Sequence, residues 1–78
     1  MADRVIAIFS QILKISSEQL NEETSPANTM QWDSLAAMNL TLAIEDEFDV
    51  RFSTRELMSM RSIGDVKQIL RDKGVVDV

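Results

Sequence analysis

No cysteine and no histidine occur anywhere in the 78 residues. The first absence excludes disulfides, and the two together remove the usual ligands of a zinc site, so no metal is expected. A Ser-His-Asp triad cannot be assembled either. A hydrolase would have to recruit Lys14 or Lys67 as base for a serine, and a chain this short has no room for an enclosed active site. It is therefore read as a protein that is not an enzyme. No apolar run approaches the roughly 18 residues needed to cross a membrane. The N-terminus lacks the basic and apolar regions of a secretory signal, so a cytoplasmic location is expected. With a single proline, little interrupts helix formation.

What is present fits one compact helical domain over residues 1–78. The sequence is 45% hydrophobic and 27% charged, a balance that folds rather than remaining disordered. A domain of this size hides only about 60% of its unfolded surface and is marginally stable. The net charge of −5 is unevenly spread. Residues 1–50 hold two basic and nine acidic side chains, a balance of −7, whereas residues 51–78 hold six basic and four acidic, a balance of +2. An acidic chain is unsuited to nucleic acid, and a protein partner with a basic surface is expected instead.

Val5, Ile8, Phe9, Ile12 and Ile15 recur at helical spacing, widened by Ile6 and Leu13, and predict a helix over about 3–16 that opens at Asp3 or Ala2. From Ser17 to Trp32 the periodicity stops and Asn21, Thr24, Ser25, Pro26 and Asn28 mark a loop. Loops of that length are uncommon unless they have a task, here to span the bundle between two helices. Leu20, Met30 and Trp32 are expected to pin it to the core, the alternative being a surface Trp32 beside Ser34. Ser53-Thr54-Arg55-Glu56 reads as a capping box opening a short helix over about 54–60. Leu57, Met58 and Met60 give that helix a slight apolar face, and methionine suits a lid over irregular contents. Ser62 caps a last helix over about 63–73, with Asp65 in its first turn, Arg71 and Lys73 in its last and Gly74 ending it. Its buried face is Ile63, Val66, Ile69 and Leu70, and residues 75–78 are expected to fray.

The segment Trp32 to Leu40 starts the central helix, expected over 34–48. Asp33 suits the N-cap, which sets Ser34 at the first helical position, where free N–H groups and the helix dipole favour an anion. Two apolar arcs follow at about 100° per residue. Ala37, Leu40, Ile44 and Phe48, with Thr41 beside them, form a core face. Leu35, Met38 and Leu42 form a second stripe edged by Asn39, Glu45, Asp46 and Asp49. An apolar stripe with a polar rim marks a docking surface, unless the helix is central and buries both. Phe9, Ile12, Leu40, Ile44, Phe48, Val66 and Ile69 are the expected core.

With Asp33-Ser34-Leu35 ahead of an amphipathic acidic helix, Leu40, the run Glu45-Asp46-Glu47, Phe48-Asp49 and Ile69-Leu70 near the end, nearly the whole chain resembles the acyl carrier proteins. The resemblance implies an all-α small four-helix bundle of three longer helices and one short, with a long loop between the first two. It implies that Ser34 bears 4'-phosphopantetheine, with Asp33 and Leu35 flanking the attachment. Asp33 would also face the metal in the transferase complex. By the same resemblance, Leu35, Met38, Leu42, Glu45 and Asp46 are what partner enzymes read. Those partners would be a phosphopantetheinyl transferase, an acyl- or aminoacyl-loading ligase, and downstream acyltransferases or synthases of fatty-acid or secondary-metabolite biosynthesis. The carrier would act as a monomer and hold its cargo as a thioester.

Two departures stand out. Gln31 replaces the family's usual glycine three residues before the serine, and Ala36 and Asn39 occupy positions commonly acidic in fatty-acid carriers. The second, at Ala36 and Asn39, points to a specialised pathway. The alternative reading is a non-carrier helical interaction module that docks through Leu35, Met38 and Leu42, with Ser34 an ordinary serine at a helix start.

Overall fold

The computed structural model describes residues 3–78, and among them four α-helices and one 3-10 turn occur without a strand. Helix α1 (Arg4–Leu13), the turn Ser17–Gln19, α2 (Ser34–Phe48), α3 (Thr54–Met58) and α4 (Ile63–Asp72) follow in order. Ala2, the alternative start of α1, lies outside the described residues. Asp3 caps α1, its Oδ1 accepting from the Val5 and Ile6 N–H groups at 3.0 and 3.1 Å.

α1 ends earlier than the expected residue 16, because Lys14 adopts the left-handed conformation at φ 59°. The Ser10 carbonyl accepts from the Ile15 N–H, while the Ser10 hydroxyl donates to the Ile15 carbonyl at 2.6 Å. Those bonds satisfy backbone groups at the helix end, and Ile15 turns back onto the core. α3 likewise stops at Met58, with its capping box between Ser53 and Glu56 formed. α2 matches its expected span, and Asp49 closes it in the left-handed region at φ 54°. Gly74, at φ 91°, closes α4, and the Val75 N–H reaches back to the Leu70 carbonyl.

The core is Val5, Phe9 and Leu13 of α1, Leu20 and Trp32 of the loop, Leu40 and Ile44 of α2, and Ile63, Val66 and Leu70 of α4. Ile12, Phe48 and Ile69, expected inside, are only half-buried. They lie at the edge of their arcs, where a broad apolar face on a thin bundle still meets solvent. Trp32 is 6% exposed and packs edge-on against Phe9 with ring centroids 4.9 Å apart, so its surface alternative does not hold. Met30 is 92% exposed and pins nothing. The tail does not fray as expected: Val75 and Val78 pack on the core, and Arg71 Nε donates to the Val78 carbonyl at 2.8 Å.

The long loop is held by polar bonds as well as by its two apolar anchors. Thr24 is buried, and its hydroxyl accepts from the Asn21 N–H at 3.0 Å, while the Asn28 side chain accepts from the Ser25 N–H and donates to the Glu23 carbonyl. The loop in turn satisfies the open start of α4. The Ile63 N–H donates to the Thr24 carbonyl and the Gly64 N–H to the Glu22 carbonyl, each at 2.9 Å. A Cβ on residue 64 would stand 3.1 Å from that same Glu22 oxygen, tight enough to push the loop backbone back by a few tenths of an ångström. Lys67, which the sequence offers only as a base for a hydrolase, is buried and pairs with Asp3 at 2.5 Å, with Glu22 further off at 3.9 Å. One ammonium thus ties the start of α1, the loop and α4 together.

Candidate functional site

Ser34 is the first residue of α2 and is exposed. Its position follows from Asp33, which leaves the helix in an extended conformation and turns its carboxylate inward to accept from the Ala36 N–H at 2.9 Å. The Asp33 carbonyl takes the Ala37 N–H at 2.8 Å. Among the described residues nothing accepts from the N–H groups of Ser34 and Leu35, and the Ser34 hydroxyl has no hydrogen-bond partner. A free hydroxyl therefore stands beside two free donors at the positive end of a fifteen-residue helix. An anion esterified to that oxygen would be stabilised there. Among the described residues no group of three or more carboxylates gathers to hold a metal ion.

The second stripe lies open. Leu35, Met38 and Leu42 are 68%, 63% and 59% exposed, while Leu40 and Ile44 on the opposite arc are buried. The two arcs of α2 therefore differ in role, one spent on the core and one presented to solvent. Ala37, Thr41 and Phe48 sit between them, half-buried.

The acidic rim is less uniform than the sequence suggests. Asp46 and Asp49 are exposed and have no ion-pair partner among the described residues. Glu47 is engaged by Arg4 at 2.9 Å, whose guanidinium also lies 4.5 Å from the centre of the Phe48 ring. Glu45, expected to face partners, is half-buried, and its Oε2 accepts from the Phe52 N–H at 2.8 Å. That carboxylate fixes the link between α2 and α3, a structural task that the local pattern around Glu45 does not announce.

Between α2 and α3 runs a half-open apolar cleft of about 310 Å³. Met38 and Leu42 of α2 and Leu57 and Met60 from α3 and its exit lie along it, with Phe9, Trp32, Leu40, Ile44 and Val66 of the core. Met38 stands one helical turn beyond Ser34 and so shares its face. Met60 fits the lid expectation, but Met58 is 74% exposed and takes no part in the lining. Sequence reasoning missed Trp32 and Thr41 as cleft residues. The position of Thr41 next to the core arc was the available signal.

Comparison with known proteins adds to this geometry. The family described as "Phosphopantetheine attachment site" matches residues 3–70. The acyl carrier protein of Syntrophus aciditrophicus is 35% identical over 75 residues, covering 96% of this chain and 94% of that protein. The acyl carrier protein of Thermosynechococcus vestitus is 30% identical over 71 residues, covering 91% and 88%. A solved chain from Mycobacterium tuberculosis, described as a candidate acyl carrier protein, superposes with a TM-score of 0.79 at 25% identity, over 88% of this chain and 92% of that one.

Proposed function

Because this chain belongs to the acyl carrier proteins, whose covalently attached group is 4'-phosphopantetheine, we propose that Ser34 is its attachment serine and that the open stripe of α2 is the face its partner enzymes read. Family membership also favours a carrier over a bare interaction module. The observation that carries the assignment is the free, exposed hydroxyl of Ser34 at the start of α2, one turn from the apolar cleft.

The residues present suit the group. Ser34 would supply the oxygen, and the free N–H groups of Ser34 and Leu35 would favour the charge of a phosphodiester there, while the Asp33 carboxylate is held by its cap to the Ala36 N–H and keeps its own charge. When attached, the arm contributes a terminal thiol that holds an acyl group as a thioester, which a chain without cysteine cannot do itself. Acyl carrier proteins are carriers rather than catalysts, and this chain acts as the substrate of the transferase that modifies it. The Ser34 oxygen attacks the pyrophosphate of coenzyme A, forms the new phosphoester bond, and gives up its proton as the nucleotide leaves. The cleft beneath Met38 and Leu42 then offers an apolar cargo shelter from water.

Carriers of this family meet synthases and transferases. For this chain the finer reading is a phosphopantetheinyl transferase, an acyl- or aminoacyl-loading ligase and downstream acyltransferases in a specialised cytoplasmic pathway. The support is half-buried Ala36 and exposed Asn39 on α2, where fatty-acid carriers commonly have acids. Among the described residues no helix is long and apolar enough to cross a membrane.

Intact-mass analysis tests the assignment. Incubated with coenzyme A, magnesium ion and a phosphopantetheinyl transferase, the wild type gains the mass of one phosphopantetheine and Ser34→Ala gains none. A mass gain on the Ala variant would place the attachment elsewhere.

A further inference from the structure

The cleft is apolar apart from one hydroxyl, and that hydroxyl has unused capacity. Thr41 lines it among methionine, leucine, aromatic and other aliphatic side chains. Its Oγ1 donates to the Ala37 carbonyl at 2.9 Å. A hydroxyl has one donor and two acceptor lone pairs, so with its proton committed any further bond that Thr41 makes is as an acceptor. Back-bonding of this kind does nothing for the helix and slightly weakens it, and valine would fill the same volume without a polar atom.

Trp32 is the other lining residue with a side-chain N–H or O–H. Its ring lines the same cleft, and its indole N–H donates to no protein acceptor among the described residues. No fully buried side-chain nitrogen or oxygen there lacks a partner, so this N–H retains contact with solvent. The cleft wall thus carries one hydroxyl oxygen with spare acceptor capacity. A plain alkyl chain laid over that oxygen would strip its water and return nothing. A hydroxyl both donates and accepts.

We infer that the cleft between α2 and α3 prefers hydroxylated acyl chains to plain alkyl chains, with Thr41 as the specificity-determining residue. The inference rests on the carrier reading above and names the class of its cargo. Length is bounded by volume: about 310 Å³ is roughly twice the ~150 Å³ cavity that holds a benzene, which suits a chain of short to medium length.

The test uses matched cargo. Octanoyl-coenzyme A and 3-hydroxyoctanoyl-coenzyme A are each loaded by a phosphopantetheinyl transferase onto the wild type and onto Thr41→Val, and the thioester half-life in mildly alkaline buffer is measured for all four, beside the two free acyl-pantetheine thioesters. Normalising to the free thioesters removes the intrinsic difference between the chains. The protection ratio of hydroxyoctanoyl over octanoyl should exceed one in the wild type and fall roughly 2- to 10-fold in Thr41→Val, the range of one net hydrogen bond. An unchanged ratio overturns the role of Thr41. Half-lives equal to the free thioesters overturn the cleft as a cargo site. Absence of any mass gain on either protein instead refutes the carrier reading, and this inference with it.

Discussion

Neighbouring residues on α2 carry opposite duties, and their mutational signatures should separate accordingly. Leu40 and Ile44 are buried among Phe9, Val66 and Leu70, so truncation removes apolar contacts and leaves a cavity. Leu40→Ala and Ile44→Ala should each lower stability by about 2 to 5 kcal/mol, a large share of what a domain of this size has. Met38, two residues from Leu40, is 63% exposed, and Met38→Ala should stay within about 0.5 kcal/mol of the wild type. The same Met38 variant should nevertheless slow phosphopantetheine transfer to Ser34. Chemical denaturation and transfer kinetics on one set of variants decide it. If Met38→Ala unfolds the domain, the stripe is core and the docking face has to be sought elsewhere.

At the scale of elements, the link from α2 to α3 governs the cleft, since it fixes where Leu57 and Met60 stand against Met38 and Leu42. α3 has only five residues and none of them is buried, so it is held by its capping box, by the ion pair of Glu56 with Lys73 at 2.9 Å, and by the bond from the Phe52 N–H to Glu45. Isolated helices of that length have no stability of their own. Glu45 and Asp46 should therefore respond differently to charge reversal although they are adjacent. Glu45→Lys removes a charged acceptor from a backbone N–H and should cost about 1.5 kcal/mol of stability. Asp46→Lys should leave stability within about 0.5 kcal/mol. Both should slow association with the transferase, and that slowing should fade with added salt, because exposed charges are screened over about 8 to 10 Å. Urea unfolding at one ionic strength and transfer rates at two provide the comparison, and equal stability losses would remove the structural role given to Glu45.

For the whole molecule, the ion pair of Lys67 with Asp3 joins residues 64 apart in sequence and ties α4 to the start of α1. Burial pushes the Asp3 carboxyl up, but the hydrogen bond from Lys67, the Ile6 N–H, the Lys67 charge and the Val5 N–H together outweigh it and hold the group below its ordinary value of 3.8. A carboxyl depressed in the folded state adds stability that is fully present above its unfolded value and is lost as pH falls through its folded one. Asp3→Asn preserves the cap, since asparagine serves that position as well, and removes the charge together with the Oδ2 acceptor that Lys67 uses. Its stability should be lower than wild type at neutral pH, and the gap should narrow as pH falls below about 4. Urea titrations of both proteins between pH 3 and 7 measure this, and a gap independent of pH would show that the ion pair contributes nothing.

What the sequence determined by itself lies within one or two helical turns. The caps at Asp3, Asp33, Ser53 and Ser62, the span of α2, the exposure of Leu35, Met38 and Leu42, and the place of Ser34 at a helix start all follow from spacings of one to four residues. Backbone periodicity and capping chemistry are local, so the string of residues carries them. The tertiary structure decided everything that joins distant segments. It buried Trp32 against Phe9 and left Met30 in solvent, although both stand in the same aperiodic loop. It brought Lys67 to Asp3 and gave Glu45 to the Phe52 N–H. It also opened the cleft between α2 and α3 and set Thr41 on its wall. A loop residue has no repeating face to reveal its side, and a lysine or glutamate shows no preference in sequence between water and a partner folded onto it from elsewhere. Only the packing of one helix against another settles which polar groups lose their water and which apolar ones keep it.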